Sequence, residues 1–148
     1  VSCDACDLMT GKTPLPGGRI HGTAHWVVEH CVGPLGLGTL VVKPRRHVTS
    51  VADTTDAEAT ELGPLLRRTA RIARDLTGAE QVYVCLWSHA GGEPGHIHHV
   101  VQPVTRDRID GHDGRYGPAL QVEMFRRGEI PDPGDVERVA GRARELFG

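Results

Sequence analysis

Residues 95–103, GHIHHVVQP, set three histidines within four positions, directly ahead of an apolar run. Along an extended chain side chains alternate faces at about 3.3 Å per residue, so His96 and His98 share a face, roughly 6 to 7 Å apart at Cα, while His99 projects oppositely. A His-x-His pair of this kind either chelates one metal ion or divides its labour, one imidazole holding a metal and the other meeting a substrate. Neutral imidazole is a good nucleophile near pH 7, which makes the second arrangement chemically useful. Near the N-terminus Cys3 and Cys6 form a Cys-x-x-Cys, the spacing with which thiolates enter four-coordinate zinc sites. Two imidazoles would complete such a set, but spacing alone does not choose among the nine histidines. If His96 and His98 both ligated the metal, the site would instead be of the kind that activates water.

Positioning these side chains falls to the elements around them. The runs TAHWVVEH, residues 23–30, and TLVVKP, residues 39–44, predict an antiparallel pair of strands, the second ended by Pro44. Leu62, Leu65, Leu66, Thr69, Ile72, Ala73 and Leu76 recur every three or four positions, which predicts a core-packing helix within residues 55–77. Thr55 and Glu58 fit a capping box at its start and Gly78 a left-handed cap at its end, while Gly63 and Pro64 mark a place where it begins or kinks. Strands are expected at 81–88 and 96–104, with the glycine-rich HAGGEPG between them irregular. The stretch GKTPLPGG is expected to turn onto the sheet. Beyond Arg106, RDRIDGHDGRYG reads as an exposed loop and PALQVEMFRRG as a short helix. A last helix is expected at 134–147, with Asp132 as N-cap and Pro133 at its first position.

A length of 148 residues fits one domain, 1–148, with a core large enough to need no disulfide staple. With 24% charged residues and a net charge of -2, binding to nucleic acid or to an acidic membrane through bulk electrostatics is not expected, and a small ligand remains possible. No apolar run is long enough to span a bilayer, and VSCDACDLM lacks the basic and apolar regions of a signal peptide, so the expected location is cytoplasmic. In a reducing compartment the four cysteines are expected as thiols or metal ligands.

Taken in order, these motifs resemble the histidine-triad (HIT) family. GHIHHVVQP resembles its signature of histidines alternating with apolar residues, and VVKPRRH, residues 41–47, resembles the strand ending in Pro-x-x-His that precedes the family's long helix. The order of Cys-x-x-Cys, two strands, Pro-x-x-His, helix, strand, Gly-rich loop and His-x-His covers residues 3–104. The resemblance implies an α+β fold, an antiparallel sheet of about five strands with one long helix and a C-terminal helix. It also implies a homodimer that hydrolyses or transfers the nucleotidyl group of a small-molecule nucleotide. His98 would attack the α-phosphorus and carry a nucleotidyl-histidine intermediate, with substrate contacts at Ser88, His89, Gly91 and Gly92. A structural zinc ion, Zn2+, would be held by Cys3, Cys6, His47 and His96.

The chain departs from that pattern at several places. The third signature histidine falls on Val100, which has no hydrogen bond to offer a phosphate or a leaving group. The phosphate loop reads Gly91, Gly92, Glu93, and a carboxylate repels a phosphate unless it is turned away. Gly38 and Thr39 stand where a Gly-His pair often opens the second strand, and Cys31 lies near the family's ribose-contacting aspartate. Two functions therefore stay open. One is a hydrolase or transferase acting at a nucleotide phosphoric anhydride, phosphoramidate or ester; the other is a degenerate ligand-binding protein that keeps fold, dimer and zinc without turnover. His99 is expected at a surface or interface, Arg45 and Arg46 as a solvated pair, and Trp26 and Trp87 in the core or an interface.

Overall fold

The computed structural model describes residues 2–148. Its strands are β1 (Arg19–Gly22), β2 (Trp26–His30), β3 (Leu40–Pro44), β4 (Gln81–Cys85), β5 (His89–Ala90), β6 (Glu93–Pro94) and β7 (His99–Val104). Its helices are α1 (Asp4–Thr10), α2 (Asp56–Thr77), α3 (Arg106–Asp110), α4 (Gly117–Arg127) and α5 (Pro133–Phe147). Five strands form one antiparallel sheet in the order β1-β2-β3-β7-β4, and β5 and β6 form a separate hairpin.

Strand alternation divides the side chains between two layers. Trp26, Val28, Leu40, Val42 and Val101 pack on one face against Leu65, Ile72 and Ala73 of α2 and Ala140, Ala143 and Phe147 of α5. Each such buried aliphatic side chain stabilises the fold by about 1.5 to 3 kcal/mol relative to exposure. The opposite face is shared. Val100 and Val104 pack on Ile109, Leu120 and Met124 of α3 and α4. Beside them, Lys43 reaches α1, donating to the Ala5 carbonyl at 2.9 Å.

Helix α2 starts with the expected capping box: Glu58 N–H donates to Thr55 Oγ1 at 3.1 Å and Thr55 N–H to Glu58 Oε2 at 3.0 Å. Arg46 adds two bonds to the same carboxylate, at 2.9 and 3.1 Å, so it ties the segment that follows β3 to the start of α2 rather than standing as half of a solvated pair. Arg45 donates to the Thr23 carbonyl at 2.9 Å. The helix does not begin at Gly63 and Pro64. It runs through them on its exposed side because Leu65, Thr69 and Ile72 bury the opposite one.

Several local expectations are corrected. Residues 106–110 are helical, capped by Thr105 and held by buried Ile109. HAGGEPG is the hairpin of β5 and β6, turning at Gly91 (φ 59°) and Gly92 (φ 85°), a two-residue turn that requires positive φ at both positions. β4 ends at Cys85, not 88, and β7 starts at His99, not 96. His99 lies under the α2 layer, edge-on to the buried Trp26 ring at 5.9 Å, rather than on the surface. Trp87 is 64% exposed and so is no core residue.

Glu123 on α4 meets three guanidinium groups, Arg126 at 2.6 Å, Arg127 at 3.1 Å and Arg115 at 3.9 Å. Hydrogen bonds from Arg126 and Arg127 hold its carboxyl down to about 2. A carboxylate depressed below its unfolded value of about 4.3 contributes stability above that pH and loses it as pH falls toward the folded value. The denaturation midpoint is therefore expected to drop between pH of about 4.3 and 2, and Glu123→Gln to flatten that limb. A folded-state titration of Glu123 near the ordinary glutamate value, followed by NMR, would contradict this.

Candidate functional site

The N-terminal segment brings its two thiols to the sheet by forming one short helix. Cys3 is the N-cap of α1, its Sγ accepting from the Cys6 N–H at 3.4 Å, so both sulfurs lie on the same end of the helix. His47 follows β3 after Pro44, and His96 lies in the extended segment ahead of β7. Cys3 Sγ is 3.7 Å and Cys6 Sγ 3.4 Å from His96 Nδ1, and Cys6 Sγ is 3.6 Å from His47 Nδ1. One donor atom from each of the four residues lies within 4.8 Å of the others.

These distances fit a metal ion. Zinc bonds of about 2.3 Å to sulfur and 2.0 to 2.1 Å to nitrogen place tetrahedral donors about 3.3 to 3.8 Å apart. The tautomer of His96 also agrees: its Nε2–H donates to the Pro44 carbonyl at 2.9 Å, which leaves the Nδ1 lone pair facing the two sulfurs. Burial pushes the His96 imidazole below its ordinary value and favours the neutral form a ligand needs. Burial, with the hydrogen bond that the Cys6 thiol donates to Cys3 and the charge on Cys3, pushes the Cys6 thiol up to about 11. A pair of thiolates this close is stable only with a cation between them.

His98 is separate from that cluster. Its Nδ1–H donates to the His96 carbonyl at 3.2 Å, which leaves Nε2 as the lone-pair nitrogen. The side chain lines a cavity of about 300 Å³, together with Val100, Val41, Leu35, Cys31 and Trp87. Asp4, Ala5 and Leu8 of α1 form another wall and Phe125 of α4 a further one. Cys31 does lie in this cavity, where burial raises its thiol. His30, beside it, has both ring nitrogens occupied, Nδ1–H donating to the Cys31 carbonyl at 2.8 Å and Nε2 accepting from Gly38 N–H at 2.9 Å. Gly38 has φ 89°, and a Cβ there would meet Thr77 at 2.6 Å, so the position of the missing Gly-His pair is held by backbone constraints.

The expected substrate contacts are arranged differently. Ser88 and His89 line a shallower neighbouring cavity of about 760 Å³, which shares Trp87 with the first. Gly91 and Gly92 line neither of these cavities, because they form the exposed tip of the hairpin. Glu93 is exposed on the same hairpin and does not line the His98 cavity. Two lining residues were missed in the sequence. Glu29 and Lys43 are buried as an ion pair on the cavity side of β2 and β3, and their only signal was one charged residue inside each of two apolar runs.

No family model matches the sequence, and no curated protein does. Solved structures do. The chain is similar to a Zn-bound histidine triad family protein from Mycobacterium smegmatis at 22% identity and TM-score 0.68, over 99% of this chain and 93% of that one. It is similar to a hypothetical histidine triad nucleotide-binding protein from Sulfolobus tokodaii strain7 at 15% identity and TM-score 0.72, over 98% and 91% of the two chains. A Hit-like protein from Bartonella henselae involved in cell-cycle regulation, with an unknown ligand, gives 15% identity and TM-score 0.71 over 95% and 92%. With its five-stranded antiparallel sheet, its helices and the order of its elements, this protein has the histidine-triad fold.

Proposed function

We propose that this protein is a nucleotide hydrolase or nucleotidyl transferase that acts at a phosphoric anhydride, phosphoramidate or ester through His98. The observation that carries this reading is the state of His98. It lines an apolar cavity of about 300 Å³, and a backbone carbonyl binds its Nδ1–H and leaves Nε2 to attack. Nε2 bonds to the α-phosphorus as the bond to the leaving group breaks, and the leaving group departs with that electron pair and takes its proton from solvent. Water or an acceptor alcohol then attacks the same phosphorus and gives up its proton to solvent, while the phosphorus–nitrogen bond breaks and its electron pair returns to Nε2. A covalent intermediate divides one hard displacement into two easier ones. Cys3, Cys6, His47 and His96 would hold zinc with four protein ligands, a structural cross-link with no open position. The nucleotide-binding description of the Sulfolobus tokodaii protein supports a nucleotide as the small-molecule partner. A single domain, a homodimer and a cytoplasmic location complete the reading; no described helix is long and apolar enough to cross a membrane.

A second reading rests on Val100, which lines the same cavity and leaves the third signature position without a proton donor. On this reading the protein binds a nucleotide without turnover. Incubation with adenosine 5′-phosphoramidate and a base quench is expected to leave an AMP adduct on His98, mapped by mass spectrometry. Wild-type turnover persisting in His98→Ala would sink the nucleophile. AMP binding with neither adduct nor turnover would select the second reading.

A further inference from the structure

A lysine at an inward position of a central strand is costly unless its charge is matched. Lys43 on β3 is 2% exposed; its ammonium pairs with Glu29 of β2 and donates to the Ala5 carbonyl at 2.9 Å. An ammonium carries three N–H donors, and these partners use two. Among the described residues the third N–H has no acceptor. The antiparallel pairing of Val42 with His99, continued by one residue, sets Lys43 across from His98 on the face that carries Val100. Lys43, His98 and Val100 line one cavity, and among the described residues Lys43 is the one lysine or arginine that does so.

We propose that Lys43 is the phosphate-contacting cation of this site, its third N–H donating to a non-bridging α-phosphate oxygen beside His98. This rests on the nucleotide reading above and deepens it. Glu29 and the Ala5 carbonyl fix the ammonium in place before the ligand arrives, so little reorganisation is needed as charge develops on the phosphoryl oxygens. Asp4 and Glu29 also line the cavity, Glu29 with its carboxylate turned to Lys43; most of the remaining lining is apolar, and there a charge-assisted bond is stronger than at a surface. Val100 leaves the third signature position without a hydrogen-bond donor, and Lys43 supplies one from the neighbouring strand.

The test compares AMP with adenosine by calorimetry on zinc-loaded protein. Wild type is expected to prefer AMP by roughly tenfold or more, the size of one charge-assisted bond. The double variant Lys43→Met with Glu29→Gln removes both charges, so neither is left orphaned, and is expected to bind the two alike with unchanged zinc content. Lys43→Arg is expected to keep part of the preference. A double variant that keeps the full preference overturns the Lys43 assignment and leaves the nucleotide reading standing. Wild-type protein that binds neither compound overturns that reading, and the Lys43 assignment with it. A measurement without variants checks the same point: AMP, and not adenosine, is expected to shift the Lys43 side-chain nitrogen resonance. A resonance unmoved at saturating AMP overturns the assignment.

Discussion

Removing zinc is expected to free α1 from the sheet and to lower the thermal midpoint by roughly 8 to 16 °C, leaving the sheet and α2 folded. The reason is the poverty of α1's other anchors. The helix has seven residues, none of them buried, and a helix this short does not hold itself together in water. The donor set of Cys3, Cys6, His47 and His96, the Lys43 bond to Ala5 and a long, exposed bond from Arg19 to the Met9 carbonyl at 3.4 Å tie it to the sheet. A ligand that binds only the folded state contributes about 4 kcal/mol at 1,000 times its dissociation constant, and each kcal/mol moves a domain of this size by about 2 to 4 °C. Hydrogen exchange should show α1 losing protection while β2, β3 and β7 keep theirs. Cys3→Ser with Cys6→Ser should reproduce the loss. Purified protein holding well under one zinc per chain, or a midpoint indifferent to chelation, would contradict the assignment.

The parts of this site that were legible in the sequence are those fixed by short-range geometry. Alternation along an extended chain separated His99 from His96 and His98, and it did so although the regular strand begins only at His99. The capping box of Thr55 and Glu58 was visible because both partners lie within one turn. The choice of His47 and His96 among nine histidines came from the family resemblance, since the two are far apart in sequence and meet only when α1 folds over the sheet. Short elements escaped for a different reason. α1, α3 and the hairpin of β5 and β6 span too few residues to show a period, and capping, one buried isoleucine or a glycine turn sets each of them. Glu29 and Lys43 each stand as the one charged residue of an apolar run, and only the register of β2 and β3 reveals them as a pair. Gly91 and Gly92, at the exposed tip of the hairpin, line neither the His98 cavity nor its neighbour, which the order of the motifs does not reveal.

Without a proton donor at position 100, turnover is expected to depend steeply on the leaving group. Val100 is 4% exposed, pairs with Val41 and Cys85 on the two neighbouring strands and lines the cavity beside His98. A departing oxygen there must leave as an anion or wait for solvent, so the barrier rises with its basicity. The p-nitrophenyl ester of AMP is expected to turn over readily, and a simple alkyl ester of AMP hardly at all. A positioned general acid contributes about 10²- to 10⁴-fold. Val100→His is therefore expected to raise the alkyl-ester rate by about that much while leaving the p-nitrophenyl rate nearly unchanged, because nitrophenolate needs no proton. His98→Ala should lower both by roughly 10³-fold or more, since loss of the nucleophile removes the covalent route for either substrate. The two variants thus separate attack from departure. Equal wild-type rates for the two esters would mean that another group already donates the proton, and the gap at Val100 would then carry no catalytic cost.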